Sequence, residues 1–270
     1  MTYFEAILLG AVQGLTEFLP ISSSGHLIFI PKIFGWADHG IEFDALLHVA
    51  TLLAVVFFFR KRLFQLMVSA WNFRSKSTEH RVNHRLLIFL AFSTLPAGLF
   101  GFFLGDWIEM QLRAPWIIGV NMVVWGIILG ISEWYSNKKS SVQRLEDIQP
   151  KNVWYMALAQ ALALFPGTSR SGITMTLGMF SGVSKKTAVE FSFLMSIPII
   201  AMAGAFQIFE IVKNGSFDFP VNVFALGFFS ALVSGIFALS LLMKIIEKWN
   251  FSVFVVYRIV IGLLIFIFLV

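Results

Sequence analysis

The sequence predicts an all-α integral membrane protein built from two inverted-topology repeats. Hydrophobic residues make up 58% of the chain and charged residues 13%, whereas soluble domains are about 45–50% apolar and about 25% charged. The apolar residues cluster in segments long enough to cross a bilayer, and the mean hydropathy is +0.82. A polar stretch containing proline and glycine interrupts the apolar sequence once in each half. These observations predict six full spans and two re-entrant helix-loop-helix hairpins.

The first half begins with two short apolar segments. Residues 2–19 and 26–35 are each too short to cross about 30 Å of hydrocarbon, which takes roughly 20 helical residues. Pro20 and Gly25 lie between them, and both residue types interrupt helices, so the pair is predicted to form a re-entrant hairpin. Three full spans are predicted next, at 43–60, 86–105 and 115–134, with a basic loop over 60–85.

The second half repeats this order. Residues 135–151 are polar and divide a single membrane domain, 1–270, into repeat one (1–134) and repeat two (152–270). The second interrupted pair is predicted at 152–165 and 172–182, and the remaining full spans at 187–212, 219–243 and 251–269.

Lysine and arginine predict the orientation. Fifteen of the twenty basic residues lie in four regions that the predicted spans place on one side, namely 60–85, 135–151, Lys185–Lys186 and 244–248. The positive-inside rule makes that side cytoplasmic and both termini extracytoplasmic. Because three crossings separate the halves, repeat two is upside down relative to repeat one. The two hairpin tips are therefore expected to meet near the midplane, as in transporters with inverted repeats.

Several function classes are excluded by composition. The net charge of +5 comes from the loops between apolar spans, so no nucleic-acid partner is expected. The chain has no cysteine, which excludes disulfides, thiol catalysis and cysteine-ligated metals. Membrane lipids are the expected surroundings, and the oligomeric state is left open, with a homodimer among the alternatives.

The polar break of the first half carries chemically active side chains. Gln13 and Glu17 are four residues apart, so a helix places them on one face. Serines before a glycine suit a turn that caps a new helix, with backbone N–H groups and hydroxyls facing an anion. The break also holds Ser22, Ser23, Ser24 and His26.

The break of the second half adds a guanidinium. Arg170 lies among hydroxyls and glycines, a combination that favours a phosphate site because a guanidinium matches phosphate bidentately. One alternative is a buried ion pair between Glu17 and Arg170 that only locks the repeats together, and for the serines the alternative is helix capping. The other candidate binding residues are Gly167, Thr168, Ser169, Ser171 and Thr174.

His26 has two interpretations. It is either a hydrogen-bonded interior histidine or, beside a serine and a carboxylate, a proton-transfer group or nucleophile. Among weaker candidates at the spans, Arg258 is expected to pair with an acid or line the cavity, and His48 has no assigned role. Glu133 is expected to be solvated near an interface.

The two breaks carry paired motifs. They read Gln13-x-x-x-Glu17, Ser22-Ser23-Ser24-Gly25-His26 and Pro166-Gly167-Thr168-Ser169-Arg170-Ser171-Gly172-x-Thr174. The chain resembles, over its whole length, the undecaprenyl pyrophosphate phosphatases, also called bacitracin-resistance proteins. The resemblance implies an enzyme of the bacterial cytoplasmic membrane that removes the terminal phosphate of the C55 polyprenyl diphosphate, regenerating the monophosphate carrier for peptidoglycan and giving bacitracin resistance. Phosphatidic-acid-type phosphatases carry a histidine six residues after their arginine, where this chain has Thr176.

The resemblance also implies roles for residues and a cofactor. Catalytic roles fall on Glu17, Ser23, His26 and Arg170, and substrate binding on Gln13, Ser22, Ser24, Gly167, Thr168, Ser169, Ser171 and Thr174. Members of the family depend on a divalent cation. Gln13 stands where many relatives have glutamate, so a single carboxylate is left in this motif. We expect Mg²⁺ or Ca²⁺ to bridge Glu17 and the diphosphate while keeping several waters.

A mechanism and its alternatives follow from these residues. Ser23 activated by His26 is the favoured nucleophile, with attack by His26 itself or by a water oriented by Glu17 as rivals. A different class, a transporter that flips the lipid monophosphate, uses the same inverted repeats. Translocation needs Arg170 but has no use for a nucleophile and base. A purely structural membrane protein would not need two polar breaks.

Overall fold

A computed structural model describes residues 1–37, 40–72, 77–214 and 220–269. These ranges are helical, with a short 3₁₀ helix at Leu145–Asp147 and no β-structure beyond one bridge between Val142 and Val183. The helices are α1 (Tyr3–Phe18), α2 (Ser23–Phe34), α3 (Gly40–Phe58), α4 (Arg60–Trp71), α5 (Thr78–Leu112), α6 (Pro115–Lys139), α7 (Pro150–Leu162), α8 (Arg170–Phe180), α9 (Lys185–Asn214), α10 (Val221–Lys248) and α11 (Ser252–Leu269). Phe219 and Val270 of the predicted segments, and Arg74 and Lys76 of the predicted loop, lie outside the described residues.

The all-helical, multi-pass class is confirmed. In the described part of the chain, five helices are long and apolar enough to cross a membrane, namely α5, α6, α9, α10 and α11. A sixth crossing is added when α3 and α4, bent by 78° at their junction, count as one span. The predicted span at 86–105 is the middle of a longer helix, since α5 runs for 35 residues.

The predicted loop over 60–85 is wrong in its described part. Residues 60–71 form α4, and α5 has already begun at Thr78. In helix α4, Leu66 and Ser69 are buried, and Phe64 and Met67 are exposed. The helix is fastened to α5 through Ser69, whose hydroxyl accepts a hydrogen bond from Asn83 at 2.9 Å. The basic residues at 60–62 concealed this helical spacing of apolar side chains.

Local signals explain where several helices begin. Thr2 and Glu5 form a capping box at the start of α1, which satisfies backbone N–H groups that have no partner in the helix. Helices α6 and α7 each start with a proline, at Pro115 and Pro150. Proline suits this position because its missing N–H is not needed there.

Both predicted interruptions exist, between α1 and α2 at 19–22 and between α7 and α8 at 163–169. Helix α1 packs along α10 and α7 along α5, while α6 packs along α11. The α1–α10 contact is close: a Cβ added at Gly14 would overlap the carbonyl oxygen of Ala231. Small residues allow such an approach between membrane helices, and the approach holds the first break against the bundle.

The expectation that Glu133 is solvated is wrong. Its side chain is buried, with Oε1 3.0 Å from the Lys185 ammonium. Its Oε2 accepts a hydrogen bond from the backbone N–H of Phe251 at 2.7 Å. The carboxylate therefore ties α6 to the start of α9 and to the connection between α10 and α11, because a buried charge requires such partners.

Candidate active site

Two serines in the breaks adopt the same unusual backbone conformation. Ser22 has φ 74° and ψ 96°, and Ser169 has φ 71° and ψ 109°. They are the non-glycine residues with positive φ in the described ranges, a conformation that costs of order 1–3 kcal/mol and is found mostly at functional sites. Each hydroxyl accepts a hydrogen bond from the N–H of the glycine three residues later, at 3.4 Å for Gly25 and 3.2 Å for Gly172. The N-termini of α2 and α8 are thus capped alike.

The two breaks meet through an ion pair. Arg170 at the start of α8 donates from Nη2 to Oε1 of Glu17 on α1, over 2.8 Å. Glu17 Oε2 accepts from the Ser23 hydroxyl at 2.8 Å and from the Gln13 amide at 3.2 Å. The predicted stacking of Gln13 on Glu17 is confirmed, and the carboxylate contacts a hydroxyl and a guanidinium at once.

A second set of contacts orients Arg170. Its Nη1 lies 3.4 Å from the carbonyl oxygen of Ser192 on α9. Thr174 donates its hydroxyl to the carbonyl of Arg170 at 2.8 Å and shares a 2.6 Å hydrogen bond with the Ser192 hydroxyl. Ser192 was missed from the sequence because a lone serine in an apolar span gives no signal until its neighbour on another helix is known.

A cavity of about 190 Å³ lies beside this ion pair. Its lining has a polar part, called the polar wall, and an apolar part, called the apolar wall. The polar lining is Glu17, Ser22, Ser23, Ser24, His48, Gln160, Ser169 and Arg170, and the apolar lining is Ala97, Ala163, Leu164, Ile199, Ile200 and Ala203. Because Ser22–Ser24 and Ser169–Arg170 are the first residues of α2 and α8, the positive ends of two helix dipoles also border this space. The cavity is suited to an anionic group attached to an apolar chain.

His26 is placed differently from the favoured prediction. Its Nδ1 lies 2.7 Å from the carbonyl oxygen of Ser22, and its Nε2 lies 2.7 Å from the Tyr257 hydroxyl. A carbonyl only accepts, so Nδ1 carries the proton and Nε2 accepts from the tyrosine. Both ring nitrogens are engaged, whereas Ser23 donates to Glu17. The predicted pairing of Ser23 with His26 is therefore wrong, while a catalytic role of His26 stays a prediction.

His48 on α3 is the imidazole that lines the cavity. Its Nδ1 lies 2.8 Å from the carbonyl oxygen of Asp44, and its Nε2 lies 3.9 Å from Oε2 of Glu17. The sequence placed this histidine only near a span, since nothing local indicates which face of α3 turns toward the breaks.

Arg258 on α11 binds the backbone of both breaks. The guanidinium is fully buried, and it donates to five carbonyl oxygens at 2.9–3.3 Å. These acceptors are Pro20 in the first break, Gly167 and Thr168 in the second, and Asn121 and Met122 on α6. Arg258 was expected to pair with an acid or to line the cavity. It binds backbone carbonyls instead, and those in the breaks have no partner within a helix.

The remaining predicted residues lie behind the cavity wall. Gln13, Gly167, Thr168, Ser171 and Thr174 are all buried. Ser171 donates to the carbonyl of Leu19 at 3.1 Å, which is a further hydrogen bond between the two breaks. Gln13, Ser171 and Thr174 also contact wall residues, and binding of substrate by all five residues stays a prediction.

The donor set for a metal is small. In the described part of the chain, no three histidine, aspartate or glutamate side chains lie together as a ready metal site. Glu17 and the hydroxyls of Ser23 and Ser24 supply oxygens on one wall. Such a set suits a hard cation only when a ligand and waters complete its coordination.

Comparison with known proteins identifies the family. Residues 6–264 match the family model described as bacitracin resistance protein BacA. The chain belongs to the BacA family.

Curated members of this BacA family match almost the whole chain. Undecaprenyl-diphosphatase of Aliivibrio salmonicida is 39% identical over 263 residues, covering 97% of this chain and 96% of that protein. Undecaprenyl-diphosphatase 1 of Pseudoalteromonas translucida is 39% identical over 271 residues, covering 100% and 99%. Undecaprenyl-diphosphatase of Colwellia psychrerythraea is 40% identical over 268 residues, covering 97% of each chain.

Removing the Arg258 side chain is expected to loosen both breaks. In Arg258→Met, five buried carbonyls lose a donor, and each carbonyl left unsatisfied costs about 1–3 kcal/mol. The thermal unfolding midpoint of the purified protein in detergent should fall by several degrees. Arg144→Met, an exposed change in the linker, is the matched control and should stay within about 0.5 kcal/mol of wild type. An unchanged midpoint for Arg258→Met would contradict the inference that Arg258 stabilises both breaks.

Proposed function

We propose that this chain hydrolyses undecaprenyl diphosphate to undecaprenyl phosphate and inorganic phosphate. The observation that carries the proposal is the Glu17–Arg170 pair with Ser23 at one wall of a cavity between the two breaks. The names of full-length relatives at 39–40% identity support the same reaction. A hydrolase of this kind recycles the lipid carrier for peptidoglycan synthesis and confers bacitracin resistance.

The diphosphate is held by positive charge at the polar wall. Arg170 and the N–H groups at the starts of α2 and α8 neutralise the terminal phosphoryl group, whose charge spreads over its outer oxygens during transfer. Electrostatic stabilisation by preorganised donors of this type supplies most of the rate in such reactions. The apolar wall, which includes Ala97, Ile199 and Ala203, receives the first isoprene units.

Ser23 is the nucleophile in this proposal. Its hydroxyl donates to Oε2 of Glu17 over 2.8 Å, so the carboxylate takes the proton as the serine oxygen attacks the terminal phosphorus. The bond from that phosphorus to the bridging oxygen breaks, and the electron pair leaves with the lipid monophosphate. Glu17 replaces His26 as the base because both nitrogens of His26 are bound elsewhere.

A divalent cation, Mg²⁺ or Ca²⁺, is part of the proposal. Glu17 and the hydroxyls of Ser23 and Ser24 would hold it together with diphosphate oxygens and water. When bound, the cation supplies positive charge to the leaving and transferring phosphates.

The membrane arrangement is proposed as two inverted repeats, 1–134 and 152–270, each with a re-entrant hairpin, joined by a cytoplasmic linker over 135–151. The matched caps at Ser22 and Ser169 support it. The packing partners also exchange as a two-fold axis requires, since α1 lies against α10 and α7 lies against α5. The location is the bacterial inner membrane, with both termini outside the cytoplasm, and a homodimer stays a prediction.

Single cysteines test this topology directly, because the chain has none of its own. A cysteine added before Met1 should react with a membrane-impermeant maleimide in intact cells, and one at Arg144 should react only after the cells are opened. Labelling of the Arg144 position in intact cells would reverse the proposed orientation.

Phosphate release by the purified chain in detergent tests the reaction. Hydrolysis needs no second compartment, whereas the flipping of a lipid monophosphate does, so release of phosphate from undecaprenyl diphosphate separates the two activities. Arg170→Lys keeps the charge but loses bidentate geometry, and its kcat/KM should fall at least about 100-fold. Arg144→Lys, on the exposed linker, is a control for the same exchange. Near-normal turnover by Arg170→Lys would exclude a bidentate phosphate contact.

Glu17→Gln tests the carboxylate and the cation together. The variant should release little phosphate, and adding Mg²⁺ or Ca²⁺ should not raise that release. The amide neither takes the Ser23 proton nor binds a hard cation well. Glu247→Gln, an exposed change on α10, should behave as wild type. A Glu17→Gln enzyme that stays active and still responds to cation would place the metal elsewhere.

A further inference from the structure

Three buried side-chain atoms in the described ranges lack a hydrogen-bond partner. Each lies either in a break or in the helix that leads into one. They are Oε1 of Gln13, Oε1 of Gln160 and Oγ1 of Thr168. A buried acceptor without a donor costs about 1–3 kcal/mol, and native proteins retain such groups mainly where a water, an ion or a function accounts for them. Of the three residues, Gln160 is the one that lines the cavity.

The orientation of the Gln160 amide is determined by its one partner. Its Nε2 donates to the carbonyl oxygen of Ser93 on α5 at 3.1 Å. A carbonyl accepts and never donates, so the nitrogen must face α5 and the oxygen must face away from it. Gln160 is 1% exposed, so the amide is held rigidly, and its oxygen is an acceptor without a donor on a residue that lines the cavity.

An acceptor at this place does not recognise the phosphate oxygens. Those oxygens are themselves acceptors, and Arg170, the hydroxyls and the helix N-termini already serve them. An amide oxygen binds either a cation or a group with O–H bonds to donate, and the proposed cation is assigned to Glu17 and the serine hydroxyls. In a hydrolase that group is the second substrate, water.

Both halves of the chain have a glutamine at the same distance before the cap serine. Gln13 precedes the cap Ser22 by nine residues, and Gln160 precedes the cap Ser169 by the same nine. The amide nitrogen of Gln13 donates to Oε2 of Glu17 at 3.2 Å. Gln160 has Leu164 at the place equivalent to Glu17, so its amide nitrogen reaches α5 instead.

We propose that Gln160 binds and orients the hydrolytic water through its amide oxygen. The inference rests on the proposed phosphatase reaction and adds a residue to its second half. Oε1 accepts one O–H of the water, which turns the oxygen lone pair toward the phosphorus carried by Ser23. A bond forms between the water oxygen and phosphorus, and the bond from phosphorus to Ser23 Oγ breaks. The electron pair stays on Oγ, which takes back the proton that Glu17 received in the first half, and both water protons leave on the released dihydrogen phosphate.

Product partitioning tests this role without depending on protein yield. The purified chain is given undecaprenyl diphosphate in aqueous methanol, and inorganic phosphate and methyl phosphate are both measured. In Gln160→Leu, water loses its bound position and methanol competes on more equal terms. The ratio of methyl phosphate to phosphate should rise at least about threefold, and kcat should fall about 10- to 100-fold, as expected when a reacting group is no longer positioned. KM for the diphosphate should stay within about twofold, because Gln160 does not hold the phosphates.

Controls separate this role from a structural one. Gln160→Met keeps the side-chain length and serves if the leucine variant does not fold, while Gln143→Leu makes the same exchange on the exposed linker and should match wild type. An unchanged product ratio, even with a lower kcat, would overturn the proposal and leave Gln160 as a packing residue. If wild type released no phosphate at all, the proposed function itself would fail, so the two failures are distinguishable.

Discussion

An interrupted helix leaves backbone carbonyls without partners, and in a bilayer no water is present to satisfy them. Arg258 meets this constraint for both breaks, since one guanidinium donates to carbonyls at Pro20, Gly167 and Thr168 and to two more on α6. Its five donors and planar shape suit this task better than an ammonium would. The polar wall of the cavity exists because these two irregular segments are fixed side by side.

The charges at the cavity follow from that placement. Glu17 and Arg170 come from segments 153 residues apart and meet at 2.8 Å, which compensates two charges that would each be costly alone in the membrane. Such a pair is only weak evidence for stability, because desolvation offsets much of the attraction. Its value lies in presenting a carboxylate and a guanidinium together, with Ser23 on the second oxygen of the acid.

Sequence reasoning predicted the parts of the site that depend on local spacing. The four-residue spacing of Gln13 and Glu17 and the serine caps before glycine were all readable, and the two charged breaks indicated that Glu17 and Arg170 would meet. What the sequence could not provide is which face each long helix turns inward. His48, Ser192 and the carbonyl partners of Arg258 depend on that rotation, and the expected contact between Ser23 and His26 was wrong for the same reason. Helix α4 was missed because the basic residues at its start indicated a loop, although the apolar residues that follow have helical spacing.

The matched caps at Ser22 and Ser169 make the attraction for anions largely a property of the main chain. Two helix starts border the same small space, and their N–H groups are present whatever side chains surround them. Replacing hydroxyl side chains that line the cavity therefore leaves these backbone N–H groups in place. Because such N–H groups attract any phosphate, orthophosphate released in the proposed reaction would compete with the substrate headgroup for the same place.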